Sequence, residues 1–327
     1  MYAYTIMKNV TTHYPFMLII YGPTGVGKTD IACMIGERIP AEIVNIDMGQ
    51  FYTPLSIGTA KPDWKNSTIP HHLFDIINTP THQTVAEYRK LLYDTVQKII
   101  NKGKLPILVG GSGFYVHSLL FPPQAINTYV DISSLYSEKS NLWDELYKID
   151  SQRALNINKS DQYRINRALS IWHSTGKLPS SYTSLYSPEA DYLILFLERD
   201  RKELHQRINT RVLEMINQGW IQEAQALVGT QWQEFIQHKN LIGYNEIFEY
   251  LSNPKTNENF LAMVDKISAQ TRQYAKRQFT FWRKLEREIK KEKQYTGTYI
   301  GCLETVNLTT MKIDLYINEL LKRLPLY

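Results

Sequence analysis

The stretch Gly22-Pro23-Thr24-Gly25-Val26-Gly27-Lys28-Thr29 directly follows the apolar run Phe16-Met17-Leu18-Ile19-Ile20-Tyr21. It fits the pattern G-x-x-x-x-G-K-[ST], in which a glycine-rich loop joins a strand to a helix. The apolar run predicts a buried strand, and the stripe Ile31, Ala32 and Ile35 predicts the helix that the pattern requires. The alternative is an incidental glycine-rich turn beside a lysine.

These eight residues supply the groups that bind a polyphosphate. Gly22, Gly25 and Gly27 let successive backbone N–H groups face one anion, and the following helix adds the positive end of its dipole. Lys28 would place an ammonium on the phosphoryl oxygens, and the Thr29 hydroxyl is available as a ligand for Mg²⁺. We therefore expect a diphosphate or triphosphate here, with Mg²⁺ as the cofactor.

Further apolar runs predict strands that alternate with helices. They are Glu42 to Asp47, Lys104 to Ser112 and Tyr192 to Leu197, and the capping boxes Thr84-x-x-Glu87 and Asp200-x-x-Glu203 open helices. This alternation predicts an α/β fold, namely a P-loop NTPase-like parallel sheet flanked by helices. Ligands bind at the carboxyl ends of such strands, so Asp47 is expected near the phosphate loop; an aspartate that only caps a turn is the alternative.

Two features limit the chemistry. The strand at 104–112 ends in Gly110-Gly111-Ser112 and lacks the aspartate with which a Walker-type ATPase holds magnesium, which argues against an ATP-hydrolysing motor. His71, His72 and Asp75 suggest a metal site at first sight, but adjacent histidines cannot easily bind one tetrahedral ion. We therefore expect no metal site at these residues.

The length and pattern of the chain predict a core with an insertion. A chain of 327 residues exceeds the usual size of one compact domain. Residues 121–190 lack the strand–helix alternation and show helical patterns at 143–149 and 161–172. We interpret 121–190 as a mainly helical insertion domain. Residues 1–120 and 191–327 then form the P-loop core, with a helical C-terminal region that ends in a short terminal run.

Composition excludes several classes of protein. A hydrophobic fraction of 43% and a charged fraction of 21% are typical of a globular protein with an ample core. No apolar run is long enough to cross a bilayer, and the first residues resemble neither a signal peptide nor a transit peptide. Cys33 and Cys302 are the only cysteines, too few for a disulfide framework or a zinc module. We expect a cytoplasmic monomer with no membrane contact.

The positive charge is concentrated near the C-terminus. The net charge is +5, and residues 265–293 alone contain ten basic and four acidic residues. Aromatic residues interrupt this basic stripe at Tyr274, Phe279, Phe281 and Trp282. A polyphosphate or nucleic acid selects such a surface, but long basic side chains along a solvated helix look the same. Charge alone does not decide between them.

Eight collinear segments between about residues 16 and 290 carry a family resemblance. Besides 22–29, they are Asp47-x-x-Gln50-x-Tyr52, Ile57-Gly58-Thr59-Ala60-Lys61-Pro62, Pro70-His71-His72-Leu73 with Asp75, Gly110-Gly111-Ser112-x-x-Tyr115, Asp161-x-x-Arg164-x-x-Arg167-Ala168-Leu169, Ile242-Gly243-Tyr244 and Thr271-Arg272-Gln273-Tyr274-Ala275-Lys276-Arg277-Gln278. With these segments the chain resembles the tRNA dimethylallyltransferases, or tRNA isopentenyltransferases, of the bacterial and organellar type without a zinc finger.

The resemblance implies a reaction. A dimethylallyl group would pass from dimethylallyl diphosphate to N6 of the adenosine immediately 3′ of the anticodon, position 37 of tRNA. The phosphate loop would hold the diphosphate leaving group, which explains the missing magnesium aspartate. By analogy with the family, Asp47 accepts the proton of the attacking amine, Thr29 ligates Mg²⁺ and Arg272 stabilises charge on the leaving group.

The resemblance also implies contacts with the anticodon stem-loop of tRNA. Extruding a base costs a few kcal/mol, and contacts from the insertion and elsewhere would offset that cost. Met48 stands where the family usually has serine, and Ser112 replaces the usual threonine. The residues assigned to tRNA binding are Asp47, Met48, Gly49, Gln50, Ser112, Tyr163, Arg164, Arg167, Gly243, Tyr244, Lys276 and Arg277.

Three alternatives stay open on the sequence. A P-loop small-molecule kinase would share the loop and an aspartate after the second strand, but would not need the tRNA-type segments. A regulatory NTPase module would need a magnesium aspartate and switch loops. An isopentenyltransferase that acts on free adenine nucleotides shares the chemistry but needs no large RNA surface, so the insertion and the basic stripe favour tRNA.

Overall fold

A parallel β-sheet forms the centre of the core. The computed structural model describes residues 16–124, 130–132, 135–136, 141–296 and 301–324. Within them, six strands form one parallel sheet in the order β3-β2-β4-β1-β5-β6. The strands are β1 (Phe16–Tyr21), β2 (Ala41–Asn45), β3 (His71–His72), β4 (Leu105–Gly110), β5 (Asp191–Glu198) and β6 (Gly301–Asn307).

Helices flank this sheet, which confirms the predicted α/β fold class. The helix α1 buries Ile31, Ala32 and Ile35 against the sheet, as their spacing predicts. The predicted capping box at Thr84 and Glu87 is present and opens the second helix. The helices of the core are α1 (Lys28–Gly36), α2 (Val85–Ile100), α3 (Gly113–Leu120), α7 (Arg201–Asn217), α8 (Trp220–Gln225), α9 (Gln231–Lys239), α10 (Tyr244–Ser252), α11 (Asn257–Thr296) and α12 (Ile313–Leu321).

The chain forms two compact units, and the smaller one is Leu120–Ser187. Its helices α4 (Leu142–Ile149), α5 (Ser151–Leu155) and α6 (Gln162–Thr175) bury a small apolar core of their own. The larger unit also contains a second apolar cluster, in which helices α7 to α11 pack around Trp220 and Tyr244. Among the described residues, no helix combines the length and the apolar character that crossing a membrane demands.

Two details beyond β5 differ from the sequence-based expectation. The chain after residue 197 is predicted to be mainly helical, and residues 301–307 add the strand β6, which pairs with residues 192–198 of β5. Its sequence Gly-Cys-Leu-Glu-Thr-Val-Asn shows little alternation, so pairing with β5 determines the strand. The capping box at Asp200 and Glu203 is also wrong, because the Asp200 side chain accepts a hydrogen bond from Asn307 instead of capping α7.

Candidate active site at the carboxyl edge of the sheet

The phosphate loop joins β1 to α1 and depends on glycine at two positions. Gly27 precedes α1 with φ +106°, a left-handed conformation that favours glycine, and it has no side chain to cap the helix. The first N–H groups of α1 therefore keep their capacity to bind an anion. At Gly22, a Cβ atom would lie 2.5 Å from the carbonyl oxygen of Leu197 on β5, which only glycine avoids.

Lys28 lies across this loop. Its Nζ donates hydrogen bonds to the carbonyl oxygens of Gly22 at 3.1 Å and Pro23 at 3.0 Å. Burial lowers the pKa of Lys28 to about 8, an effect that the charge of Asp47 opposes and that of Arg211 reinforces. A bound anion would favour the charged ammonium, so the loop gains electrostatic complementarity when it is filled.

Arginines of α7 and of the turn before it contact the loop. Arg207 Nε donates to the Gly25 carbonyl and Arg199 Nε to the Val26 carbonyl, both at 2.9 Å. Burial lowers the pKa of Arg211, which interacts electrostatically with Asp30 and Asp47. We did not select these arginines from the sequence. The signal was the spacing Arg207-x-x-x-Arg211, which puts both side chains on one face of a helix that follows a strand.

Arg272, the basic residue selected by analogy, contacts α7. Its Nη1 donates to Asn209 Oδ1 on α7 at 2.6 Å, in an exposed position. The charges that affect Lys28 are those of Asp47 and Arg211. The structure therefore favours Arg211 over Arg272 as the basic group beside the phosphate loop.

Gln278 of α11 joins the phosphate loop to the end of β4. Its Oε1 accepts a hydrogen bond from Thr24 N at 2.9 Å, and its Nε2 donates to the Gly111 carbonyl at 2.7 Å. The residue is 4% exposed, and its carbonyl also accepts a bond from the Tyr21 hydroxyl. Gln278 thus connects two parts of the site. The sequence identified it only as the last residue of a motif.

Asn45 fixes the segment that carries Asp47. Its Oδ1 accepts a bond from Asp47 N at 2.8 Å, and its Nδ2 donates to the carbonyls of Asp47 and Leu73. Asp47 Oδ1 accepts from Gly49 N at 3.3 Å, and a Cβ placed on Gly111 would lie 3.5 Å from Asp47 Oδ2. The Asp47 carboxylate therefore lies next to the end of β4, which Gln278 ties to the phosphate loop.

Buried aromatic residues surround Asp47. Burial raises the pKa of Tyr88, Tyr115 and Tyr274, and the charge of Asp47 raises each further. The Tyr88 ring lies 4.2 Å from that of Tyr115 and stacks at 5.1 Å on Phe51, measured between centroids. Asp47 is half-buried beside these rings, and electrostatic interactions in a partly buried site are stronger than in solution.

Two further residues of the predicted base-reading turn have defined partners. Gln50 Nε2 donates to the carbonyls of Thr59 at 3.2 Å and Ala60 at 3.3 Å. The Met48 sulfur lies 3.5 Å from Lys239 Nζ, whose pKa burial lowers. Met48 therefore occupies the place of the usual serine with a contact to a half-buried amine.

The remaining residues assigned to tRNA binding belong to several elements of the two units. Tyr244 is 1% exposed and donates its hydroxyl hydrogen to Glu223, so its side chain stabilises the helical cluster and does not face solvent. Gly243 contacts the same cluster, since a Cβ there would lie 2.0 Å from Trp220. Ser112 precedes α3, Lys276 and Arg277 are exposed on α11, and Tyr163, Arg164 and Arg167 belong to α6 of the smaller unit.

The sequence predicts a Mg²⁺ ligand at Thr29 and no metal site at the histidine pair His71 and His72. His72 Nε2 lies 2.7 Å from Glu42, and His71 Nδ1 lies 2.7 Å from the Ile69 carbonyl. No cluster of three or more His, Cys, Asp or Glu side chains suited to a metal occurs in the part of the chain that the structure describes. The oxygen donors beside the loop, Thr29 and Asp30, fit a cation such as Mg²⁺, which takes most of its ligands from phosphates and water.

The fold and the loop define an α/β protein of the P-loop class, and comparisons with known proteins give the family. The IPP transferase family model matches residues 50–285. A tRNA dimethylallyltransferase from Petrotoga mobilis is 37% identical over 285 residues, covering 83% of this chain and 91% of the relative. One from Staphylococcus aureus is 34% identical over 284 residues, covering 82% and 90%. The chain belongs to the IPP transferase family.

Solved structures have the same fold. A tRNA isopentenylpyrophosphate transferase from Staphylococcus epidermidis matches with a TM-score of 0.62 at 28% identity, covering 94% of this chain and 98% of that one. A eukaryotic dimethylallyltransferase that acts on tRNA matches with a TM-score of 0.73 at 24% identity, covering 95% and 80%. The second likeness concerns the fold alone.

Proposed function

We propose that this protein transfers the dimethylallyl group of dimethylallyl diphosphate to N6 of the adenosine 3′ of the anticodon in tRNA. The relatives named tRNA dimethylallyltransferase support the reaction class. The observation that carries the proposal is geometric: Gln278 joins the phosphate loop at Thr24 to Gly111, and Gly111 lies next to the Asp47 carboxylate at the end of β2. A leaving diphosphate and an attacking amine need the loop and the carboxylate close together.

In this mechanism the phosphate loop binds the diphosphate of the donor. Lys28, Arg211 and the N–H groups at the start of α1 stabilise the negative charge that grows as the allylic C–O bond breaks. Groups placed in advance in a water-poor site cost little reorganisation as that charge develops. Gly110 and Gly111 stand where an ATPase would hold a magnesium aspartate, which supports a diphosphate leaving group over ATP hydrolysis.

Asp47 acts on the nucleoside side of the same reaction. The N6 lone pair forms the new bond to the allylic carbon, the electrons of the C–O bond leave with the diphosphate, and the N6 proton passes to the Asp47 carboxylate. Positioned proton transfer of this kind contributes typically ~10²–10⁴-fold. The backbone and side-chain bonds of Asn45 hold the Asp47 segment in one conformation.

Thr29 and Asp30 would hold Mg²⁺ beside the loop, where a divalent cation neutralises charge on a diphosphate.

The basic stripe of α11 and the basic residues of α6 would contact tRNA phosphates, so the affinity for tRNA should fall steeply with salt. Lys28, Asp47 and Arg211 all belong to one chain, so a monomer suffices for the proposed site.

The test is to incubate the protein with dimethylallyl diphosphate, Mg²⁺ and an anticodon stem-loop RNA, and then to digest the RNA and measure N6-dimethylallyladenosine. We expect product in the RNA and none when the adenosine next to the anticodon is replaced by guanosine. Efficient transfer to AMP with none to RNA would favour the isopentenyltransferase of free nucleotides. ATP-dependent phosphorylation without prenyl transfer would favour the kinase.

A further inference from the structure

Glu223 of α8 binds a run of backbone N–H groups. Its carboxylate accepts hydrogen bonds from Ser56 N at 2.9 Å, Ile57 N at 2.7 Å and Gly58 N at 2.9 Å. The Tyr244 hydroxyl donates a fourth bond at 2.7 Å. A carboxylate has about four lone-pair sites, so that of Glu223 is fully used. It connects the three backbone N–H groups to the Tyr244 hydroxyl.

The residues that follow these N–H groups contact both halves of the candidate site. We call residues 56–61 the bridging segment. Its Thr59 and Ala60 carbonyls accept the bonds of Gln50 Nε2 described above, and the Ala60 carbonyl also accepts a bond from Arg211 Nη2 at 3.4 Å. One backbone carbonyl thus contacts a residue of the base-reading turn and the arginine beside the phosphate loop.

The bridging segment has little freedom to move. Ala60 has φ +50°, a left-handed conformation that costs energy for alanine and persists only where the surroundings enforce it. A Cβ at Gly58 would lie 2.1 Å from Trp220 Nε1, so the backbone is in close contact with the helical cluster. At its far end, the Lys61 ammonium forms an ion pair with Asp75 and donates to the Tyr52 carbonyl at 3.0 Å.

We propose that Glu223 is a positioning residue for the transfer reaction. It acts through the bridging segment, which sets the Gln50 amide and the Arg211 guanidinium relative to each other. Since both partners of the Gln50 amide are carbonyls, the group that faces them is its NH₂, and its Oε1 is the atom left to accept a bond from a base. An acceptor at this place selects a base with an exocyclic amine, such as adenine. This inference rests on the proposed function.

The experiment compares Glu223→Gln with wild type in single-turnover transfer to an anticodon stem-loop RNA. A glutamine keeps the shape but turns an N–H donor toward the backbone donors, so at least one of them loses its partner. A shift of the segment by about 1 Å can cost on the order of 10²-fold in rate, and we expect a loss of about 10- to 100-fold. Binding of inorganic diphosphate should fall much less than the transfer rate, because Lys28 and the loop remain and only Arg211 is displaced.

Hydrogen exchange gives a readout that does not depend on activity. The N–H groups of residues 56–58 should exchange faster in Glu223→Gln, while exchange in the central strands stays close to wild type. Glu223→Asp keeps the charge on a shorter side chain; it should transfer at an intermediate rate, and it takes the place of Glu223→Gln if that variant does not fold. Glu234→Gln is the matched control, since Glu234 is exposed on α9.

The inference would be overturned if Glu223→Gln transferred the dimethylallyl group at the wild-type rate. Unchanged hydrogen exchange at residues 56–58 would overturn it as well. An absence of product with the wild-type protein would instead contradict the proposed function. The two failures are therefore distinguishable within one experiment.

Discussion

Gln278 donates a hydrogen bond from Nε2 to the carbonyl oxygen of Gly111 at 2.7 Å, although 167 residues separate the two in sequence. The same side chain accepts a bond from Thr24 N in the phosphate loop. Gly111 accommodates this contact only because it lacks a side chain, as a Cβ there would lie 2.3 Å from Gln278 Nε2. The long helix α11 therefore holds the phosphate loop and the end of β4 in a fixed relation.

Replacing Gln278 with leucine should weaken the phosphate loop. The change leaves the Thr24 N–H and the Gly111 carbonyl unpaired, and each buried unpaired group costs about 1–3 kcal/mol. Urea denaturation and inorganic diphosphate titration measure the two effects, and we expect both stability and affinity to fall. Gln273→Leu is the control because Gln273 is exposed on the same helix. Equal losses in the two variants would show that the Gln278 bonds are not responsible.

Binding of diphosphate should depend on the protonation of Lys28. Burial lowers the pKa of Lys28 to about 8, so its ammonium loses the proton as pH rises through that value in the ligand-free protein. We expect diphosphate affinity to fall above about pH 8, and calorimetric titrations between pH 6.5 and 9.5 would measure it. In Lys28→Ala this pH dependence should disappear and transfer should slow by ~10²–10³. An unchanged pH profile in Lys28→Ala would show that another group titrates.

The buried charge of Lys28 also lowers the stability of the fold, by an amount that depends on pH. Its pKa in the folded protein is lower than in the unfolded chain, so the unfolded state binds more protons between about pH 8 and the ordinary value of about 10.4. The penalty for burying this charge is therefore full below pH 8 and is relieved as pH rises. Lys28→Met should be more stable than wild type near pH 7, with a difference that shrinks toward pH 10.

Asp47→Asn and Asp47→Ala separate proton transfer from orientation. If the carboxylate accepts the N6 proton, both variants should slow single-turnover transfer by ~10²–10⁴, with the affinities for donor and stem-loop retained. Thermal melting checks the fold of each. If Asn restores most of the rate that Ala loses, hydrogen bonding by residue 47 is the better explanation and the general-base role should be abandoned.

Arg211→Ala and Arg272→Ala test which arginine supports the leaving group. Arg211 interacts with Lys28 and Asp47, whereas Arg272 contacts Asn209 in an exposed position. We expect ~10²–10³ slower transfer for Arg211→Ala, and a smaller loss for Arg272→Ala that appears mainly in RNA affinity. The opposite ranking would restore Arg272 to the role that the family analogy gave it.

Glu42 should make the fold sensitive to acid. Burial by itself raises its pKa, but hydrogen bonds from Lys104, His72 and Lys102 outweigh burial and lower the pKa to about 2. Its stabilising contribution is thus present above the ordinary pKa of about 4.3 and is lost as pH falls toward 2. Glu42→Gln should be less stable than wild type at pH 7, with a gap in urea midpoint that narrows below pH 4. Glu258→Gln should show no such gap, because Glu258 is exposed at the start of α11.

The sequence by itself determined the phosphate loop, the parallel sheet and the family. The loop pattern is local, because eight consecutive residues contain the glycines, the amine and the hydroxyl that bind phosphate. Apolar runs and helix stripes depend on the same short-range periodicity, and they predicted β1, β2, β4 and β5 with small errors at their ends, but not the two-residue strand β3. Ordered motifs along the chain were sufficient for the family, since their spacing needs no coordinates.

Only the tertiary structure decided which distant residues complete the site. Asn45 and Glu223 have no local pattern that distinguishes them from other polar residues, and the patterns that contain Arg211 and Gln278 do not reveal their partners. All four acquire their positions from packing between separate elements. Strand β6 was missed because pairing with β5 determines it more than its own sequence does. Tyr244 was expected to contact RNA, but the structure buries it against Trp220 and Glu223. Burial and hydrogen bonding between segments far apart in sequence follow from the folded chain, not from local periodicity.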